Sequence, residues 1–113
     1  MAIRKKSGTK QKIINYPLHI KAEARNDIIE AAHWYATILK GLDERFIQYL
    51  EDVISTIQYN PNTFKKIYKD FRQAALKKFP YVVVYEFEDD TIIIYCVFNA
   101  KQHPGKKMGR LKK

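Results

Sequence analysis

Between residues 65 and 78 the chain carries Lys65, Lys66, Lys69, Arg72, Lys77 and Lys78 against a single acid, Asp70. Six cations less one anion make a window of net charge +5. Such a window suits phosphate. An arginine grips two phosphate oxygens at once through its planar fork, and lysines add point charges around it. Arg72 is the one arginine in this stretch and the candidate for the central role, an ion pair with Asp70 or Glu86 being its competing use. The lysines could equally line an exposed strand edge, where charge discourages strand-to-strand aggregation. Further along, Tyr81 and Tyr85 alternate onto one face of an extended run. Two rings there could stack a base or fill a core. Lys101 and His103 close the set. Histidine titrates near neutrality and can serve as acid or base, although one that precedes Pro104 in a loop is also simply an exposed side chain.

Other chemistries find little support. Cys96 is the sole cysteine and lies in an apolar run without an adjacent base, which suits a buried structural thiol rather than a nucleophile. One cysteine and three scattered histidines (His19, His33, His103) do not make a zinc site, and no metal or other cofactor is expected. Glu86, Glu88, Asp89 and Asp90 run along a strand into a turn. Alternate strand residues point oppositely, so a solvated acidic end is expected there rather than a carboxylate metal site. No apolar run approaches the ~18 residues of a membrane helix, and the basic N-terminus lacks the apolar stretch of a signal peptide. A cytoplasmic protein with no membrane partner is expected.

The net charge of +9 is unevenly placed. Residues 1–12 contribute +5 and residues 101–113 contribute +6, neither with an acid, while residues 13–100 set ten basic against twelve acidic side chains for −2. The folded core is therefore near neutral. Basic ends attract phosphate in a salt-dependent way, or simply solubilise.

These residues need a frame, and 113 residues suffice for one domain with one core. Residues 16–21 (YPLHIK) alternate as a first strand, with Pro17 at its start where a missing N–H is tolerated. Ala24, Ile28, Ala31, Tyr35 and Ile38 then recur at helical spacing, with Asp27, Glu30 and His33 off that face. Gly41 supplies a left-handed stop. A second helix follows with a stripe of Leu42, Phe46, Leu50, Val53, Ile54 and Ile57, ended by Asn60-Pro61. So short a connection folds the two helices into an antiparallel hairpin. Afterwards the period becomes two: a strand beginning at Ile67 and continuing to Leu76, another over residues 81–88, a compact Asp89-Asp90 turn, and a last strand over residues 91–99. Both alternating faces of YVVVYEF and TIIIYCVF are largely apolar, which predicts central strands covered on both sides, or on one side by the helical hairpin and on the other by a partner. The expected class is α+β in the order β-α-α-β-β-β, a single domain over residues 16–104 flanked by flexible basic tails, 1–15 and 105–113.

That order, with LHIKAEA, DIIEAAHWY, GLDERF, NPNTFKKIY, FRQAALKKFPYVVVYEF and IIIYCVFNAKQHP in succession, resembles the RelE/ParE superfamily of type II toxin–antitoxin toxins over residues 16–104. The resemblance implies a helical hairpin on a twisted antiparallel sheet, with the active surface on the concave sheet face and C-terminal segment. It also implies a cognate antitoxin that wraps the toxin, in a homodimer or a toxin–antitoxin heterotetramer. RelE-like members cut mRNA in the ribosomal A site without a metal, whereas ParE-like members poison DNA gyrase.

Metal-free RNA cleavage needs a base for the 2′-OH, an acid for the leaving 5′-oxygen and positive charge for the phosphorane. The resemblance puts Arg72 at the superfamily's basic strand position as the charge stabiliser, and Lys101 where an arginine is often found. His103 would be the acid or base, and Lys65, Lys66, Lys69, Lys77, Lys78, Tyr81 and Tyr85 would hold RNA. The C-terminal MGRLKK offers no tyrosine or histidine, a departure from RNA-cutting members. Trp34-Tyr35 reads as packing or as an antitoxin-facing patch. The expectation is a ribosome-dependent mRNA endonuclease that arrests translation. A non-catalytic gyrase inhibitor, and a family member that only binds its antitoxin, are the alternatives.

Overall fold

Two alanines set how the first helix sits. In the computed structural model, which describes residues 15–102 and 109–111, α1 (Ala22–Ile38) buries Ala24, Ala31 and Tyr35 along one side. The short alanine side chains let the helix come close to the sheet. α2 (Leu42–Tyr59) buries Phe46, Leu50, Ile54 and Ile57. The backbone leaves α1 at extended Leu39 and enters α2 at Gly41, whose φ of +86° lies in the left-handed region open to glycine. The hairpin is therefore as expected, except that Ile38, assigned to the buried stripe, is 52% exposed at the helix end. An aromatic seam ties the hairpin to the sheet: the Tyr35 ring meets Phe46 at 5.3 Å and Phe79 at 4.9 Å, and Phe46 meets Tyr81 at 5.1 Å.

The sheet contains β1 (Leu18–Ile20), β2 (Lys66–Tyr68), β3 (Phe71–Ala75), β4 (Tyr81–Glu88) and β5 (Thr91–Asn99), in the order β1-β5-β4-β3-β2. From β5 to β2 the pairs are antiparallel, whereas β1 lies parallel to β5, with both helices in the crossover between them. The run beginning at Ile67, expected as one strand, is instead a hairpin. Its middle is the polar pair Lys69-Asp70, and Lys69 takes a φ of +49° that a continuous strand cannot contain. The sheet gains a short edge strand by this break. The acidic turn is as tight as expected: Asp89 and Asp90 have φ of +53° and +58°, both left-handed, between paired Glu88 and Thr91.

β5 carries an extra residue. Val84 pairs with Cys96 but Tyr85 with Ile94, so Tyr95 is bulged out of register. Ile94 and Val97 therefore both enter the helix-side core, while Tyr95 and Cys96 both pack on the opposite face. That opposite face holds Phe71, Val82, Val84, Cys96 and Phe98, closed by Leu111 from a short 3-10 turn (Gly109–Leu111). The central strands are thus covered on both sides, the second cover being the chain's own C-terminal segment. Leu111, assigned to a tail, is 1% exposed. The rest of the assigned tails (residues 1–14, 105–108, 112 and 113) lies outside the described residues. No described helix is long and apolar enough to cross a membrane.

Candidate functional site

Arg72 lies on β3 between Lys66 and Tyr85. It alternates with Ala74, so it shares the helix-covered side rather than the opposite face. Its Nη1 donates to the carbonyls of Phe64 (2.7 Å) and Asn62 (3.2 Å), and its Nη2 to Asn62 Oδ1 (3.3 Å). The fork thus holds the loop that follows α2. Asp70, one expected partner, pairs instead with Lys66 at 3.3 Å on the surface.

Tyr85 reinforces the same loop. It is fully buried, and its hydroxyl donates to the Pro61 carbonyl at 2.6 Å. Burial pushes the phenol up to about 12, with the Arg72 cation pulling the other way. Tyr81, also buried, has its phenol raised by burial, lowered by a hydrogen bond from Asn99 and raised by the nearby Asp27 and Glu30 carboxylates. The two tyrosines share a face as expected, but it is the one packed against the helices. This corrects their assignment to RNA stacking: the aromatic seam encloses Tyr81 and the loop carbonyl holds Tyr85, so neither ring is offered to a base.

The basic window divides in space. Lys65, Lys66 and Lys69 are exposed on the β2–β3 hairpin at the sheet edge, whereas Lys77 and Lys78 are exposed beyond the far end of β3. Lys77 borders a recess with Tyr49, Asp52 and Phe64; Lys78 borders another with Tyr35, Arg45 and Phe79. Lys101 follows β5, its backbone N–H donating to Asn99 Oδ1 at 2.8 Å. Arg72 is in register with Tyr85 and Ile94, and Asn99 with Tyr81. At about 3.3 Å per residue, Lys101 is displaced along the sheet by more than roughly 13 Å and across two strand spacings of about 4.8 Å each. Arg72 and Lys101 are not brought together. His103 lies outside the described residues.

What the sequence reading missed is a row of rings and lysines on the face away from the helices. Tyr68 stacks on Phe71 at 6.3 Å, and Phe71 meets Tyr95 edge-on at 4.9 Å. Lys69 Nζ sits 5.4 Å from the Tyr68 ring and Lys21 Nζ 4.9 Å from the Tyr95 ring. Glu86, assigned to a solvated acidic end, is instead 1% exposed and accepts from the Tyr95 hydroxyl at 3.2 Å. A lysine at each end of the row, with Tyr68 and Tyr95 beside the buried Phe71, forms a surface that can meet a polyanion. Tyr68 and Lys69 flank a visible turn signal, but the bulge that turns Tyr95 toward them has none.

Asp27 differs from expectation too. Rather than lying off the buried face, it is 4% exposed and its Oδ2 accepts the Val97 backbone N–H at 3.0 Å. β1 ends at Ile20, so β5 has no strand outside it beyond Ile94. The helix supplies the acceptor that a longer β1 would have supplied. A lone Asp between Ala24 and Ala31 on an apolar stripe was the available signal.

A model of the ParE toxin of type II toxin–antitoxin systems matches residues 18–104. The chain belongs to the ParE toxin family. Two Mycobacterium tuberculosis proteins, each named Toxin ParE2, are 27% identical to it over 88 residues, covering 77% of this chain and 84% of theirs. Among solved structures, a chain of the chromosomal ParDE system from P. aeruginosa superposes with a TM-score of 0.63 at 16% identity, covering 74% of this chain and 95% of that one. A variant of the E. coli toxin RelE in the free state gives 0.57 at 15% identity, covering 88% and 100%. At such identities the structures establish the RelE/ParE-like fold; the ParE family assignment and the fold together make this chain a type II toxin–antitoxin toxin.

Proposed function

We propose that this ParE-family toxin acts by binding and poisoning DNA gyrase, without cutting RNA, and is neutralised by a cognate antitoxin in the cytoplasm. One observation carries the reading: the Arg72 guanidinium is engaged by Asn62 and Phe64 on the helix-covered side of the sheet. Ribosome-dependent mRNA cleavage, the finer expectation from the sequence, would need Arg72 and Lys101 to converge with an acid–base pair on one phosphate. Their positions in the sheet give that reading no support. A poison needs a surface rather than an acid–base set. The lysine-flanked row from Lys21 to Lys69 offers one that can meet DNA held by the topoisomerase. The antitoxin partner is supported by family membership and by the likeness to a chain of the toxin–antitoxin complex RelBE2 of M. tuberculosis (TM-score 0.55, 15% identity, covering 80% of this chain and 97% of that one).

The test uses the purified full chain with gyrase and relaxed plasmid, and in parallel with a translation extract. Blocked supercoiling and accumulation of cleaved plasmid, with translation intact, are the expected results. Normal supercoiling together with ribosome-dependent cuts in mRNA would reverse the assignment.

A further inference from the structure

At the end of the sheet where β5 stops and β4 begins, a recess of about 350 Å³ is lined by Asp27, Glu30, Trp34, Tyr81, Asn99 and Gln102. Asp27, Glu30 and Trp34 are spaced i, i+3 and i+7 on α1, so one helix side supplies two carboxylates and an indole. Trp34 is 58% exposed, a large apolar surface that the core does not use. The opposite wall is ordered. Asn99 Oδ1 accepts the Lys101 backbone N–H at 2.8 Å, and Asn99 pairs with Tyr81 across the β4–β5 ladder. Asp27 is fixed by the Val97 N–H at 3.0 Å. Both carboxylates act on the Tyr81 phenol, so the recess is negative inside a chain of net charge +9.

We propose that this recess receives one arginine side chain of a bound protein. Carboxylates at its wall suit the guanidinium fork, and the exposed indole offers the flat face on which a guanidinium stacks. Nucleic acid is the wrong partner, because its phosphates would meet Asp27 and Glu30. An acidic recess also fixes the register of a bound chain, since a cation of that chain is accepted there and an anion is not. The inference rests on the proposed function only for which protein presents the arginine, the antitoxin being the expected one; the recess is tested without it.

Trp34 is the only tryptophan in the chain, so its fluorescence reports occupancy without a label. The full chain is titrated with N-acetyl-argininamide, with N-acetyl-citrullinamide as a neutral counterpart of similar shape, and with spermidine. A saturable change is expected with the arginine probe, at least about tenfold weaker with citrulline, the factor that follows from losing one charge-assisted contact of about 1.4 kcal/mol. Glu30→Gln, an exposed position whose change leaves the core intact, should weaken the arginine probe by about the same tenfold. Equal binding of citrulline, or arginine binding unchanged in Glu30→Gln, overturns the proposal; spermidine binding more tightly than the arginine probe overturns it in favour of a polyamine site. Failure of the gyrase assay would leave these results untouched.

Discussion

Replacing Arg72 separates a structural fork from a catalytic one. The bond to the Phe64 carbonyl, 2.7 Å long and partly buried, is the strongest of its three, and the two to Asn62 are longer and exposed. A hydrogen bond from a charged donor contributes about 1.5–3 kcal/mol when sheltered, and exposed ones add little. Arg72→Ala should therefore cost about 2–3 kcal/mol, lowering the melting temperature by roughly 10 °C for a domain of this size. Arg72→Lys keeps the charge and can reach one carbonyl, so about 1 kcal/mol, or roughly 5 °C, is expected. A domain with several kcal/mol in reserve remains folded after that loss, and Arg72→Lys should still arrest growth at 25 °C. Were the fork instead to hold a phosphorane, lysine could not replace its bidentate grip, and activity would fall by about two orders of magnitude with little change in stability. Thermal melts paired with induced-expression growth curves distinguish the cases. An Arg72→Lys protein that melts like the parent yet no longer arrests growth would refute the structural assignment.

Tyr85→Phe should cost about 1 kcal/mol at pH 8 by leaving the Pro61 carbonyl unbonded. The Tyr85 phenol is raised from its ordinary 10 to about 12, so its stabilising share is complete below pH 10 and is lost as pH climbs toward 12. Near pH 11 that loss reaches about 1.4 kcal/mol, and urea melts of parent and Tyr85→Phe should there converge or cross; a constant gap from pH 8 to 11.5 would contradict the assigned burial effect. Asp90→Gly relieves a left-handed φ of +58° in the β4–β5 turn and should raise the melting temperature by a few degrees, about 0.5–1 kcal/mol, measured by calorimetry. Leu111→Ala removes a side chain that is 1% exposed over Cys96 and should cost about 2–4 kcal/mol. In the same variant Cys96, buried in the parent, should react with a thiol reagent measurably faster, whereas equal labelling rates would mean that Leu111 does not shield it.

The elements were legible because each announced its own period. Phe46, Leu50, Ile54 and Ile57 recur at helical spacing, and Gly41 and Asp89-Asp90 mark turns that need left-handed backbone. The site was much less so, because side-chain direction depends on things with no local period. Arg72 and Tyr85 could be placed on strands, but which face the helices would cover was not readable from alternation when both faces were apolar. The bulge at Tyr95 shifts every later β5 residue to the other face, and a single inserted residue leaves no compositional mark. Polarity alone predicts a solvent-facing Asp27. Its burial follows from a tertiary fact, the short β1, which leaves the Val97 N–H to be met from the helix.

Both faces of the central strands are closed, one by the helical hairpin and one in part by Leu111, which confines exposed chemistry to margins. One margin is the lysine-flanked row away from the helices, from Lys21 beside β1 to Lys69 beside β2. The other is the acidic recess under α1 at the Asn99 end of β5. They carry opposite charge and lie on opposite sides of the sheet. A target that meets the basic row therefore need not touch the recess, and a protein that only filled the recess would leave the row open. A partner that uses both would pass from one to the other along β5 beyond Ile94, where Asp27 rather than another strand meets the Val97 N–H. A chain that anchors one arginine in the recess and carries acidic side chains around that side to the row would satisfy both charges at once. Weakening the anchor through Glu30 should then speed release of such a partner while leaving the toxin's own grip on its target unchanged.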